Sequence, residues 1–258
     1  MRQSDMATYY AKRALEILRE DGPVELSKSS TRFIKHYVRK KTSRNSTKIR
    51  IQNYIKHRLD GYSAIADPFK IITASPGNIN YYASEFGKWE SVGKVSSGNW
   101  DKEAMPVEDM MKFSAVKQHF HTGVDWVDTG IIDYHCQRLA ESDRTNVDGC
   151  SSRSEYIQWY KEIDDLYKDI KNHGYDRKKH NSTDYIAVHI GRSGELLFAG
   201  SGCHRLSICK ILDLDEIPVW VRARHKQWQE LRDEIYNNGL PESRKDLRDH
   251  PDLQDVLN

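Results

Sequence analysis

Residues 185–224 read YIAVHI GRSG ELLFA GSG CHRLSICKIL DLDE IPVWVRAR, and the order of these pieces decides the fold. Ile186, Val188 and Ile190 alternate with Ala187 and His189, which is strand periodicity. Gly191 to Gly194 tolerates a tight reversal, so Glu195 to Ala199 returns as the second strand of a hairpin. Gly200-Ser201-Gly202 then turns the chain into a helix starting near Cys203. Leu206, Ile208, Cys209, Ile211 and Leu212 mark that helix as mostly buried. Ile217 to Val221, with Pro218 near its start, comes back as a strand.

A strand, a glycine loop and a helix start together make an anion site, because the first N–H groups of a helix lack internal partners. His204 and Arg205 on the first turn add hydrogen bonds and charge. The plainer alternative is that Gly200 and Gly202 only permit the turn, with Arg205 in solvent.

The run LLFAGSGCHRLSICKILDLDEIPVWV resembles the ParB/sulfiredoxin superfamily, in which a hairpin ends in a Gly-x-His-Arg type turn, followed by a helix and an Ile-Pro-Val strand. Gly202, His204 and Arg205 match that turn. Gly202-Cys203-His204-Arg205 is also similar to the Gly-Cys-His-Arg of sulfiredoxins, whose cysteine is the catalytic thiol. The likeness covers about forty residues well, and 163–175 resembles the helix that precedes the hairpin in ParB-like domains. It implies an α+β fold, a small mixed sheet with packed helices. It also implies a nucleoside triphosphate, ATP or CTP, with Mg2+, its phosphates held by Gly200, Ser201, Gly202, Cys203, His204 and Arg205. The partition proteins place glutamates here for magnesium, and Cys203 takes that slot. Asp101, Glu195 and Asp184 are the carboxylates left to offer a metal.

The chain has 258 residues, enough for one sizeable core with appendages or two small domains. Six Trp and fourteen Tyr supply large apolar bodies to a polar composition, which favours a folded chain over disorder. No stretch approaches about 18 uninterrupted apolar residues. With no apolar signal region at the N-terminus, a cytoplasmic protein without a transmembrane segment is expected. Cys136, Cys150, Cys203 and Cys209 form no CxxC pair and are read as reduced thiols.

The formal charge of +2 conceals segregation. Eleven basic residues and no acid lie between Lys28 and Arg58, leaving 29 basic against 38 acidic elsewhere. Arg32, Lys35, Arg39, Lys40, Lys41 and Arg44 would carry contact with nucleic acid or with a membrane surface. A helix pair docked on the core with a solvated basic rim explains the pattern as well. Helices are expected over Met6–Glu20, about Val24–Lys41, and Lys48–Leu59, the last with Ile51, Tyr54, Ile55 and Leu59 as its apolar stripe.

Asp67-Pro68 opens the next unit. Phe69 to Thr73 reads as a strand and 74–78 (ASPGN) as a turn-rich loop, in which the resemblance makes Ser75 and Asn78 ligand contacts and turn chemistry makes them structural. Gly87 to Val95 reads as a strand. Asp101, after the loop 96–100, is either a metal or hydroxyl partner or an Asx-turn cap. Met105 to Asp128 is helical in composition. His119, His121, Asp125, Asp128, His135 and Cys136 are metal-ligand types, but a two-residue histidine spacing shares a face only in a strand. Ser152-Arg-Ser-Glu155 is a capping box opening a helix through Ile157, Tyr160, Ile163, Leu166, Tyr167 and Ile170, stopped by Gly174. After a last helix with Trp228, Leu231 and Ile235 inward, the charged tail is expected to be solvated or to dock a partner.

The expected organisation is a basic helical arm over 1–62, a ParB/sulfiredoxin-like domain over 63–225 with a helical insertion at about 97–153, and a C-terminal helix and tail over 226–258. Two functions compete. In the first, the corner binds nucleotide phosphates, with Arg205 and His204 stabilising charge and Cys203 available as a nucleophile favoured by the helix dipole. In the second, the domain is a scaffold and the arm binds DNA or RNA through phosphates.

Overall fold

The computed structural model describes residues 46–84, 86, 90–143, 145–175 and 185–257. The expected helices over 6–20 and 24–41, the basic residues Arg32, Lys35, Arg39, Lys40, Lys41 and Arg44, and Asp184 lie outside them. The chain divides into units 1–52 and 53–258. Of the first, only the opening turns of α1 (Ser46–Leu59) are described.

The fold of the second unit is α+β. Its strands are β1 (Ile71–Ala74), β2 (Tyr81–Tyr82), β3 (Lys94–Ser96), β4 (Met105–Pro106), β5 (Ala187–Ile190), β6 (Leu196–Phe198) and β7 (Ile217–His225). The helices after α1 are α2 (Met111–Thr122), α3 (Ile131–Ala140), α4 (Arg153–His173), α5 (Cys203–Ile211) and α6 (Lys226–Asn238). The strands form one mixed sheet in the order β1-β7-β5-β6-β2-β4, with β3 joining β7 beyond β1. β5 and β6 are an antiparallel hairpin, and β7 returns parallel to β5.

β7 runs past the expected Val221 to His225, because its first half pairs with β1 and its second half with β3. Trp220 N–H donates to Ile186 at the start of the β5 side, and Val221 N–H to Lys70 just before β1.

One face of the sheet, with Val188, Ile190, Phe198, Val219 and Val221, is covered by α4 and α5 through Tyr160, Ile163, Ile170, Leu206 and Ile208. α4 is capped as its sequence requires. Ser152 Oγ accepts from Glu155 N–H at 3.3 Å, and Gly174 ends the helix at φ 73°.

Three expectations are corrected. Residues 105–128 are not one helix: Met105–Pro106 adds an edge strand to β2, and Gly123 at φ 74° ends α2 after Thr122. The apolar stripe of α1 faces outward, Tyr54, Ile55 and Leu59 being 56%, 53% and 83% exposed. Asn53 and His57 are buried instead, His57 edge-on to Tyr62 at 5.7 Å. The tail is neither solvated nor free, since Leu247, Leu253 and Val256 join the main core.

What fastens the tail is a carboxylate with no exposure. Asp252 accepts from Arg224 Nε at 2.9 Å and Nη2 at 2.6 Å and from Trp228 Nε1 at 3.0 Å, with Lys70 Nζ at 3.1 Å and Arg232 Nη1 at 3.3 Å. Next to it His250 Nε2 lies 2.9 Å from the Gly194 carbonyl, closing the tail over the β5–β6 turn. Gly194 is required there: at φ 98°, a Cβ would stand 2.6 Å from the Trp228 ring.

Burial alone would raise the carboxyl pKa of Asp252, but Arg224, Arg232 and Lys70 hold it far below the ordinary carboxylate range. A depressed carboxyl contributes stability that is complete above its unfolded value, near 3.9, and is lost as pH falls further. Asp252→Asn should therefore cost about 3–5 kcal/mol at pH 7, since it strands buried cations. Urea unfolding checks this, and the variant should also lose part of the wild-type decline in stability below pH 4.

Candidate functional site

The corner between β6 and α5 is open. Gly200 is exposed at φ 76°, Gly202 sits at φ 80° as the residue before the helix, and Gly202 to Arg205 are half-buried. No side chain caps α5. Its first-turn amides are thus left for a ligand or water. Ser201 is buried, and its carbonyl accepts from Ala187 N–H at 3.1 Å, which binds the corner to β5. A Cβ on Gly202 would stand 2.9 Å from the backbone of Ile186, so only glycine lets the helix leave the sheet this closely.

His204 projects from this turn into a polar chain walled by aromatic rings. Its Nε2 is 3.3 Å from the Tyr160 hydroxyl, that hydroxyl is 3.0 Å from His135 Nε2, and His135 Nδ1 is 3.6 Å from Asp148 Oδ2. Lys112 Nζ at 2.8 Å and Arg138 Nη1 at 3.3 Å hold the same carboxylate oxygen. Trp159 stands edge-on to His204 at 5.1 Å, and Tyr156 stacks on His135 at 4.9 Å. Five pieces of chain meet here: α2, α3, the 147–150 turn, α4 and α5.

Asp148 occupies its place at a backbone cost, with φ at 54°. The turn around it is pinned by Tyr156, whose hydroxyl donates to the Val147 carbonyl at 2.9 Å.

The chain has one favoured protonation pattern. The Asp148 charge favours the His135 proton on Nδ1, with no hydrogen bond between them at 3.6 Å. His135 Nε2 is then an acceptor, and Tyr160 spends its single proton on it. Tyr160 can only accept from His204, which must carry its proton on Nε2. His204 Nδ1 is left with a lone pair at the helix start.

Both imidazoles are neutral at pH 7. Burial pulls His135 down to about 4 and His204 down to about 3. The expectation that His204 adds charge to the corner is corrected: it offers a hydrogen-bonding ring rather than a cation. Cys203 is corrected too. The helix dipole favours a thiolate by about 0.3–1 kcal/mol, but dense surroundings outweigh it and push the thiol up to about 12. At neutral pH Cys203 is a protonated thiol.

The outlying candidates have structural jobs. Ser75 Oγ accepts from Gly77 N–H at 3.3 Å in a capped turn, and exposed Asn78 ends that turn. Lys210 Nζ holds the same loop through the Pro76 carbonyl at 3.0 Å, two turns of α5 beyond Cys203, so neither residue reaches the corner. An open cleft of about 550 Å³ lined by Phe113, His121 and Lys210 also lies toward that far end.

Asp101 is not a metal ligand, because both of its oxygens are taken. Arg192 donates to them from its backbone N–H at 3.0 Å, Nε at 2.7 Å and Nη2 at 2.6 Å. Burial would raise this carboxyl, yet those bonds bring it down to about 2. Glu195 accepts from Ser193 N–H in the hairpin turn. His119 lies 3.0 Å from Asp164 and stacks on Trp126 at 4.0 Å. Among the described residues no three His, Cys, Asp or Glu side chains converge to hold a metal ion. The Mg2+ expected from the resemblance thus finds no ligand set among the described residues.

Sequence reasoning missed Tyr160, Asp148 and Lys112. Tyr160 lies on the apolar stripe of α4, and Asp148 in a polar loop, where nothing in their spacing signals a joint role. His135 stood out only as a metal-ligand type. Comparison with family models, with curated proteins and with solved structures finds no match to this chain. No helix among the described residues is long and apolar enough to cross a membrane.

Buried neutral histidines make stability pH-dependent. Their unfolded counterparts take up protons below about pH 6.5, which the folded rings refuse, so stability falls as pH drops from there toward 4. His135 and His189, the latter held down to about 3 by burial, are each almost fully buried. His204, itself held down to about 3, joins them, and each such ring adds up to about 1.4 kcal/mol per pH unit to the slope between pH 6 and 4.5. Urea titrations at stepped pH measure the slope, and His135→Phe should reduce it by about that increment.

Proposed function

We propose that this chain contains a ParB/sulfiredoxin-like phosphate-binding domain whose Gly200–Arg205 corner holds the phosphates of a nucleotide. The observation that carries the reading is convergence: an open, uncapped helix start meets the end of the Asp148–His135–Tyr160–His204 chain. The amides of Gly202 and Cys203 point at anionic oxygen, and Arg205 adds a fixed charge on the same turn. His204, held by Tyr160, turns a neutral acceptor nitrogen toward a hydroxyl or water beside the phosphates. Tyr160 and His135 act through His204 as positioning residues. Thiol chemistry at Cys203 forms no part of this function.

Isothermal titration with ATP, ADP and CTP, each with Mg2+, tests the corner. Wild-type protein should bind at least one of them, and Arg205→Ala should weaken it by about 1.5–3 kcal/mol, the range of a charge-assisted hydrogen bond. Equal affinity in the two proteins would remove Arg205 from the site.

The segregated charge of 28–58 supports a second role, phosphate-backbone binding to nucleic acid by Arg32, Lys35, Arg39, Lys40, Lys41 and Arg44. Duplex affinity measured between about 50 and 200 mM salt should then fall by two or more orders of magnitude if four or more phosphates are neutralised. A flat profile rejects this role.

A further inference from the structure

The sheet face opposite α4 and α5 contains a second polar centre that the corner does not use. Arg222 follows Trp220 by two residues on β7, is 1% exposed, and lies over the Trp220 ring at 5.0 Å. One of its nitrogens, Nη1, donates to the Ala199 carbonyl at 2.9 Å. Nε and Nη2 have no hydrogen-bond partner among the described residues. These two N–H groups lie on the same edge of the guanidinium and form the fork that grips two oxygens side by side.

The protein itself shows what that edge is for. Arg192 uses Nε and Nη2 to hold both oxygens of Asp101, and Arg224 uses the same pair on Asp252. Arg222, two residues before Arg224, presents the same fork with no acid on it, and burial alone acts on its charge. His189, 1% exposed, is the nearby ring that feels Arg222, and its Nδ1 also lacks a partner. Trp100 and Phe86 stand edge-on to His189 at 5.8 and 5.4 Å. A buried cation with its best donors unused is costly to the fold, whereas a buried cation facing an anion is a binding site.

We propose that the Nε/Nη2 fork of Arg222, assisted by His189, is a binding site for a two-oxygen anion, the carboxylate or phosphoryl group of a small ligand. Arg222 reaches the carbonyl of Ala199, next to Gly200, but its fork lies with Trp220 on the face opposite α5, so the site is distinct from the Gly200–Arg205 corner. Trp220 beside Arg222, with Trp100 and Phe86 beside His189, favours a ligand with an apolar body behind its anionic head.

The Arg222 Nε–H cross-peak, assigned through bonds by NMR, reports on this fork and on no other site. Titration with inorganic phosphate and, separately, with acetate and benzoate should move that peak saturably at millimolar concentration. Movement with phosphate alone assigns a phosphoryl ligand, and movement with the acids alone a carboxylate; either result supports the site. Arg222→Lys keeps the charge but has no fork, so wild-type affinity for the active anion should exceed its affinity by about tenfold or more. A peak that none of these anions moves overturns the proposal, as does equal binding by a folded Arg222→Lys. If that variant fails to fold, the wild-type titration decides alone.

Discussion

The contact between Gly202 and the backbone of Ile186 is the constraint on which the site depends. A side chain at 202 would push the start of α5 off the sheet by the width of a methyl group. His204, two residues on, would then lose its 3.3 Å approach to Tyr160. Ser201 holds the other side of the junction by its bond from Ala187. The helix start is thereby fixed to a fully buried strand, the most rigid place the fold offers, while its amides remain open. Placement on a regular element rather than on a free loop is what gives such a site its precision.

The region expected as a helical insertion completes the site. α2 contributes Lys112, α3 contributes His135 and the 147–150 turn contributes Asp148, and none of them acts alone. The carboxylate sets the tautomer of one histidine, tyrosine passes that choice on, and the second histidine exposes the result. Each ring is buried enough to stay neutral, so the chain transmits hydrogen-bond polarity rather than charge. The same burial that makes His204 a neutral acceptor makes Cys203 a poor nucleophile. Two groups that sequence reasoning credited with charge are held uncharged by their surroundings.

Three arginines on or beside the sheet, Arg222 and Arg224 buried and Arg192 partly exposed, reveal how the protein manages cations. Arg224 is neutralised by Asp252 and becomes the fastening of the C-terminal tail. Arg192 is neutralised by Asp101 and fixes the loop before it. Arg222 is matched by no acid among the described residues. Identical side chains a few residues apart on one strand therefore serve as a lock in one case and as a binding centre in the other, according to whether the chain returns a carboxylate to meet them.

Local sequence determined the hairpin, the glycine corner, α5, the returning strand and the capped α4, because these rest on alternation, turn residues and capping chemistry that act within a few positions. It did not determine which way α1 faces, that 105–128 breaks into an edge strand and a helix, or that the charged tail is locked into the core. The edge strand is settled by β2 and the tail by Lys70, Arg224 and Arg232, none of them a neighbour in sequence. The meeting of Asp148, His135, Tyr160 and His204, the diversion of Asp101 to Arg192, and the unmatched fork of Arg222 were decided only by tertiary structure. The physical reason is that protonation and pairing are set by burial and by distances of a few ångströms, and neither is written in the spacing of residues along a chain.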